Sequence, residues 1–247
     1  MAMAMAIKLE EHVESLRKYI SKTDSKYLIN YKENLVVHPI PFFGNIETAK
    51  VLTVGANPSS GEFNKNRDWP EDISNIDLQH RLLNYFNLSI KPHPWFGIWE
   101  ESLQLLDSSY YNGSAAHVDL SPRATFSMSS VDDKNKFKEM VENDIGWFFK
   151  LLPLCSEVKL ILIAGSITKK YYINEFIQKH SHENEFRWIV DCKRGAGLAF
   201  TSCHKLKSDN KTYSIFFCSR GPSARTDSGL LVDRIAENKE SLIKYLR

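Results

Sequence analysis

Short apolar runs that alternate with segments of helical periodicity constrain the fold of this chain more than any other feature. Each run is about five residues long, the length of a buried strand, and is followed by a polar turn. Strands that alternate with helices predict a parallel sheet with helices on both faces. We therefore predict an α/β fold with a central, mainly parallel four-stranded sheet flanked by helices. Its strands are predicted at Lys50–Val54, Ala115–Leu120, Val158–Ala164 and Tyr213–Cys218.

The remaining elements are predicted from the same periodicities. The 247 residues are 43% hydrophobic, which suffices for the core of a single domain over residues 1–247, and we find no repeat or linker. The alternating Met1–Ala6 start is predicted to be disordered. Short strands are predicted at Phe186–Val190 and Leu198–Thr201. The predicted helices are Ile7–Ser21, Leu78–Leu88, Trp95–Leu106, Lys134–Leu152, Ile167–His180 and a last helix, capped by Asp227 or Ser228, that ends at Leu246.

Three polar motifs begin where predicted strands end. They are Gly55–Pro58, the segment His117–Pro122 around Asp119, and Ser219–Arg225. Ligands of parallel sheets bind beyond the carboxyl ends of the strands, so the motifs are expected to converge. Each also has an ordinary alternative: Asn57 bonds its own backbone in a turn, Asp119 caps the next turn, and a Gly-Pro turn leads into a helix.

In this order and spacing, the three motifs resemble those of the uracil-DNA glycosylase superfamily, and its single-strand-selective and mismatch-specific branches most closely. The resemblance extends from about Lys50 to Leu231. It implies a monofunctional DNA glycosylase that flips a nucleotide and hydrolyses its N-glycosidic bond, leaving an abasic site. It also implies DNA as the partner, with no metal and no other cofactor.

The first motif supplies the water and part of the base pocket in this resemblance. Asn57 matches the residue that positions the attacking water, which an oxocarbenium-like transition state needs oriented more than strongly activated. Ser59 stands where the uracil-specific branch has a tyrosine that blocks the C5 edge, so that edge is expected to be open. Phe63 is the candidate for stacking on the base, with Trp69 as a second; the alternative is that either ring belongs to the core.

Asp119 stands where the resembling branches have a base-reading asparagine. An asparagine donates to O4 of uracil and accepts from N3–H, whereas an ionised Asp only accepts. The carboxylate would oppose O4 at a cost of ~1–3 kcal/mol. It would accept from the exocyclic amine of cytosine, and a protonated Asp could donate to cytosine N3. Asp119 therefore favours a cytosine-type base.

The third motif matches residues that hold DNA. Pro222 and Ser223 correspond to the pair that clamps the phosphates beside the lesion, and Arg225 to the side chain that wedges into the duplex. Ser166, after the third predicted strand, is a further candidate for phosphate if a helix begins there, because helix N-termini bind anions. The alternative for Ser166 is a tight turn.

One family residue is missing from the third motif. Gly221 stands where most of the family has the histidine that stabilises negative charge on the leaving base; the mismatch-specific branch has asparagine there. We predict Arg220 as the substitute donor, with Ser219 and His204 as alternatives.

Charge and cysteine content agree with a DNA-binding protein that keeps its thiols reduced. Lys193–Arg225 holds seven Lys or Arg and one acid, although the whole chain has a net charge of only +2. That segment is either a polyanion footprint or a solvated basic face. The four cysteines show no Cys-x-x-Cys spacing and give no support for an iron–sulfur cluster. We expect a cytoplasmic monomer that does not bind membranes.

Three functions remain open from the sequence. Because excision of ordinary cytosine would damage a host genome, an open C5 edge favours a C5-modified cytosine, such as those of hypermodified phage DNA, and hence antiviral defence. The first alternative is a repair glycosylase for uracil or oxidised pyrimidines in which Asp119 is protonated or displaced. The second is a catalytically inert DNA-binding relative, suggested by Gly221.

Overall fold

The computed structural model describes residues 2–27, 38–58, 72–88, 92–124, 131–168, 171–194, 201–219 and 228–247. They form an α/β fold with one seven-stranded sheet flanked by helices and a separate two-stranded ribbon. The strands are β1 (Phe42–Phe43), β2 (Val51–Gly55), β3 (Ala115–Asp119), β4 (Leu160–Ala164), β5 (Ser166–Thr168), β6 (Tyr171–Tyr172), β7 (Arg187–Arg194), β8 (Thr201–Lys207) and β9 (Thr212–Cys218). The helices are α1 (Ala2–Tyr27), α2 (Asn75–Leu83), α3 (Pro94–Gln104), α4 (Val131–Leu151), α5 (Ile173–Ser181) and α6 (Ser228–Leu246), with 3-10 turns at Tyr85–Asn87, Leu152–Leu154 and His182–Asn184.

The sheet is larger than the four-stranded sheet predicted from the sequence. Its strand order is β1-β3-β2-β4-β9-β8-β7, with parallel pairing from β3 to β9 and antiparallel pairing at both edges. The strand β7 corresponds to the predicted Phe186–Val190 strand and continues to Arg194, whereas β8 carries polar and charged residues along its length and lacks the apolar run that marks β4. Of the predicted Leu198–Thr201 strand, Thr201 begins β8 and the other residues lie outside the described ranges.

Two helix predictions also differ from the structure. The helix α1 begins at Ala2, inside the segment for which disorder was predicted, because Met and Ala are strong helix formers. The helix predicted from Ile167 begins only at Ile173. The preceding residues form the ribbon β5–β6, and their β-branched and tyrosine side chains favour strands.

The helices cover a sheet whose central strands are wholly buried. Every residue of β2, β3 and β4 is buried. The helix α1 packs against α4, and α3 packs against α6. Thr53, His117 and Asp119 are therefore polar side chains inside buried strands, where each needs a partner. None of the helices in the described ranges is long and apolar enough to cross a membrane.

Candidate active site at the carboxyl ends of β2 and β3

The first two motifs lie side by side, as their position at the ends of parallel strands predicts. Gly55 of β2 is paired with Asp119 of β3. The pairing continues past the strands, since Leu120 N donates to Gly55 O over 3.1 Å and Ser121 N to Ala56 O over 2.9 Å. The same edge receives the end of β9, because Gly165 N donates to Cys218 O over 3.1 Å.

Gly55 leaves the space that the Asp119 carboxylate occupies. A Cβ atom built on Gly55 would lie 2.3 Å from Asp119 Oδ1 and 3.1 Å from His117 Nε2. No side chain fits there unless the carboxylate moves. The glycine of the first motif is therefore required by the acid of the second, a coupling between the motifs that the sequence does not show.

The Asp119 carboxylate is buried and incompletely satisfied. Asp119 is 5% exposed, and its one hydrogen-bond partner in the described part of the chain is His117, whose Nε2 lies 3.3 Å from Oδ1. By contrast, the buried Glu100 accepts from Ser109 Oγ over 2.6 Å and from Tyr110 N over 3.0 Å. Because buried carboxylates normally accept several hydrogen bonds, Asp119 has capacity left for a donor on a ligand.

His117 is held between polar and aromatic neighbours. Its Nδ1 lies 2.8 Å from Thr53 Oγ1, directly across the β2–β3 pair. The rings of Trp95, Phe96 and Phe43 surround the imidazole, with centroids 4.8, 5.3 and 5.8 Å away. This packing leaves the imidazole little freedom to turn away from Asp119.

The Asn57 amide is oriented by two backbone carbonyls. Its Nδ2 donates to Pro58 O over 3.0 Å and to Arg123 O over 2.9 Å. Both partners accept, so the nitrogen must face them and the amide oxygen must lie on the other side as an acceptor. The predicted turn alternative is partly right, since one bond is to the adjacent residue, but the second ties Asn57 to the loop after β3.

A buried ion pair fixes the loop that holds Asn57. Arg123 Nε donates to Asp144 Oδ2 over 2.8 Å, and Ser121 Oγ donates to the same oxygen over 2.7 Å. Tyr19 of α1 donates to Asp144 Oδ1 over 3.0 Å. Burial, followed by the Asp144 charge, raises the pKa of Tyr19 to about 12 and keeps this phenol a donor. The helices α1 and α4 thereby anchor the site from outside the sheet.

Most of the other predicted site residues lie outside the described residues. These are Ser59, Phe63, Trp69, Arg220, Gly221, Pro222, Ser223 and Arg225. Ser219 is buried directly after β9.

Ser166 does not stand at a helix N-terminus. It begins β5, directly after Gly165, whose φ of +94° turns the chain, and α5 starts only at Ile173. The helix-terminal phosphate site predicted there is therefore wrong, and phosphate binding by Ser166 would need another geometry.

His204 lies too far from the site edge to replace the missing histidine. It is paired with Ile215, three residues before Cys218 at the end of β9. Three residues of a strand span ~10 Å. Its Nε2 lies 2.7 Å from Ser202 Oγ, and its ring stacks on Trp188 at 4.6 Å. We therefore assign His204 to the hairpin packing.

The cleft of about 570 Å³ at the opposite end of the sheet differs in character. Its Lys211 ammonium is bonded to the carbonyls of Cys155 and Ser156, and its Tyr213 hydroxyl donates to Leu152 O over 2.9 Å. These two groups are thus already paired within the protein. Among the described residues, no three His, Cys, Asp or Glu side chains are grouped as a metal site requires.

Sequence reasoning missed His117, Thr53 and the Arg123–Asp144 pair. A signal for the first two was present: each is a polar residue inside a short apolar strand, at the same distance from its end. No family model matches the chain, and neither do the curated proteins or the solved structures with which it was compared.

Proposed function

We propose that this protein is a monofunctional DNA glycosylase that excises a C5-modified cytosine and leaves an abasic site. The observation that carries the proposal is the Asp119 carboxylate, buried at the strand end that pairs with Gly55 of the first motif, with one hydrogen bond of 3.3 Å. A carboxylate with spare acceptor capacity suits the exocyclic amine of a cytosine and opposes the O4 carbonyl of a uracil.

In the proposed reaction, Asp119 binds the base and Asn57 directs the water to the sugar. In the proposed step, the amide oxygen of Asn57 orients a water whose oxygen bonds to the anomeric carbon. The glycosidic bond breaks, and its electron pair stays on the base. Proximity and orientation are the main contribution expected of a neutral amide, because it cannot remove a proton.

Protonation of the base at N3 would account for the missing histidine. A cytosine protonated at N3 presents two adjacent donors, the N4 amine and N3–H, to the two oxygens of Asp119. When the glycosidic bond breaks, the base keeps the electron pair, and the proton at N3 balances its charge, so the base departs as a neutral molecule. The attacking water loses one proton to solvent. Gly221 can then replace the histidine of the family, because little negative charge develops on the leaving base.

DNA contacts in this proposal come from residues outside the described ranges. Pro222 and Ser223 would hold the phosphates beside the flipped nucleotide, and Arg225 would fill the gap in the duplex. The basic composition of Lys193–Arg225 supports a polyanion there. An open C5 edge at Ser59 would admit the modification, as a defence role against modified phage DNA requires.

A panel of matched duplexes tests the proposal. Each carries one uracil, cytosine or bulky C5-modified cytosine at the same position, and abasic sites are detected by alkaline cleavage under single-turnover conditions. We expect release of the modified cytosine and little release of uracil. Preferential uracil release would indicate a repair enzyme instead, and tight binding without any release would indicate an inert DNA-binding relative.

A further inference from the structure

Four polar side chains form a continuous hydrogen-bonded chain that ends at Asp119. Tyr110 Oη lies 2.5 Å from Thr53 Oγ1, Thr53 Oγ1 lies 2.8 Å from His117 Nδ1, and His117 Nε2 lies 3.3 Å from Asp119 Oδ1. All four residues are buried. With a neutral imidazole, the three contacts need one hydrogen each. Thr53 Oγ1 also lies 3.5 Å from Ala116 O, at the limit of a hydrogen bond, so its hydrogen is better placed on the imidazole nitrogen 2.8 Å away.

Counting the hydrogens gives that direction. If Tyr110 donates to Thr53, Thr53 to His117 and His117 to Asp119, every hydrogen has an acceptor and Asp119 is ionised. If the chain runs the other way from a protonated Asp119, either the Tyr110 O–H is left over or Thr53 must donate to Ala116 O over 3.5 Å, which is a poor hydrogen bond. In the described part of the chain, the hydroxyl of Thr53 is the one group within hydrogen-bond distance of that phenol, and an unpaired buried hydroxyl is costly.

Tyr110 is suited to begin the chain as a donor. It is 1% exposed, and its ring stacks on Phe86 with centroids 4.3 Å apart and planes 11° apart. Burial raises the pKa of Tyr110 well above its ordinary value, so the phenol keeps its hydrogen. Its backbone is fixed as well, because Tyr110 N donates to Glu100 Oε2 over 3.0 Å.

We infer that His117 is a positioning residue that fixes Asp119 as a hydrogen-bond acceptor, so that the site selects a base with an amino group over one with a carbonyl at the same place. The inference rests on the proposed function. It adds that base selectivity depends on the tautomer of His117, although this histidine does not contact the base. Thr53 sets the tautomer, because its hydroxyl donates to Nδ1 and leaves the hydrogen on Nε2.

The tautomer can be measured without any activity. Long-range ¹⁵N–¹H correlation spectra of histidine-labelled protein show which ring nitrogen carries hydrogen, and the His117 signals are identified by their loss in His117→Gln. We expect neutral imidazole with the hydrogen on Nε2. Hydrogen on Nδ1, or on both nitrogens, at neutral pH would overturn the inference, since the chain would then run in the opposite direction or end at a cationic imidazole.

Two matched substitutions of His117 test its action on Asp119. A Gln side chain places its amide nitrogen near the position of Nε2 and can still donate to Asp119, whereas an Asn side chain reaches only the position of Nδ1. We expect His117→Gln to keep most of the preference for modified cytosine over uracil and His117→Asn to reduce it about tenfold or more. Equal preference in the two variants would overturn the inference.

Thr53 gives an independent pair with little change of shape. Thr53→Val removes the donor to Nδ1, whereas Thr53→Ser keeps it. We expect Thr53→Val to lower the base preference and to populate the Nδ1–H tautomer, while Thr53→Ser restores both. A protein that releases no base from any duplex but shows the Nε2–H tautomer would refute the proposed function and leave the direction of the chain standing.

Discussion

The carboxylate of Asp119 and the amide of an asparagine have nearly the same shape but differ in what they donate. Asp119→Asn supplies a donor where the native residue only accepts. We expect the variant to shift preference from modified cytosine towards uracil by about ten- to a hundredfold, the factor for ~1–3 kcal/mol per mismatched hydrogen bond. Single-turnover release from matched uracil and modified-cytosine duplexes by both proteins measures the shift.

The wild-type protein is the control for that prediction. If it already prefers uracil and the Asn variant leaves the ratio unchanged, Asp119 does not read the base. The assignment to cytosine then fails, even if the protein is a glycosylase.

Gly55 offers a test of where the carboxylate lies. A methyl group at this position would lie 2.3 Å from Asp119 Oδ1, so Gly55→Ala should displace the carboxylate and lower release of modified cytosine about a hundredfold or more. The displacement should also lower the free energy of unfolding. In an Asp119→Ala background the 2.3 Å contact is gone and only the 3.1 Å contact with His117 Nε2 remains, so the same Gly55→Ala change should cost clearly less stability than in the wild type. Equal costs in both backgrounds would show that the carboxylate does not occupy this space.

Asn57 is expected to act on the water and not on the DNA. Asn57→Ala should reduce base release at least about a hundredfold, because it removes an oriented acceptor. DNA affinity should stay within about threefold, since no phosphate contact is lost. Parallel loss of DNA binding and catalysis would mean that Asn57 only stabilises the turn after β2 and its hydrogen bond to the Arg123 carbonyl.

At the residue scale, the sequence predicted that the motifs holding Asn57 and Asp119 would lie at neighbouring strand ends, but not what orients the two side chains. The neighbouring strand ends follow from the short, mostly apolar runs. The partners of Asn57 are backbone carbonyls, one of them from Arg123, which is distant in sequence. The chain from Tyr110 to His117 depends on strand register, which a single sequence does not specify.

At the element scale, two helices hold the loop after β3. Asp144 of α4 accepts from Arg123, Ser121 and Tyr19 in a buried network. Asp144→Asn leaves the buried Arg123 charge without its counterion, and we expect a loss of about 3 kcal/mol in the free energy of unfolding. Base release should fall as well, because the Arg123 carbonyl orients Asn57.

Tyr19→Phe is the matched control for the ion pair. It removes one hydrogen bond to the same carboxylate and should cost about 1 kcal/mol with little effect on release. Urea unfolding of both variants and of the wild type gives the comparison. If Asp144→Asn costs no more than Tyr19→Phe, the ion pair does not anchor the loop.

The elements that the sequence predicted well are those that are buried on both sides. β4 is a continuous apolar run, β2, β3 and β9 are mostly apolar, and α4 has a strong helical periodicity. The ribbon β5–β6 was predicted as helix, because helical periodicity cannot be distinguished from strand alternation over so few residues.

At the scale of the whole molecule, the parallel strands form only part of the sheet. β8 and β7 extend it beyond β9 by antiparallel pairing, and β1 closes the other edge. β7 and β8 mix polar and charged residues with apolar ones, and β1 has only two residues, so none of the three is a long apolar run like β4. The extension places β9 inside the sheet instead of at its edge. The third motif therefore emerges from a strand that is braced on both sides.

Stability of the whole molecule should fall in weak acid because of His12. This histidine of α1 is 8% exposed and contacts the Trp147 ring edge-on at 5.5 Å. Burial, with a smaller effect of the Lys150 charge, lowers the pKa of His12 to about 4. The unfolded chain takes up a proton near pH 6.5, well before the folded protein does. Unfolding is therefore favoured as the pH falls through 6.5, and the full loss is reached below pH 4.

The pH dependence of His12→Phe tests this assignment. Between pH 7.5 and 5.0, the His12 contribution amounts to about 2 kcal/mol of the free energy of unfolding. Phenylalanine keeps an aromatic contact with Trp147 and cannot take up a proton, so the variant should lose about 2 kcal/mol less than the wild type over this range. Urea unfolding of both proteins at the two pH values measures the difference. Identical pH dependence would show that His12 is protonated as easily in the folded protein as in the unfolded chain, and that the packing of α1 on α4 does not exclude its charge.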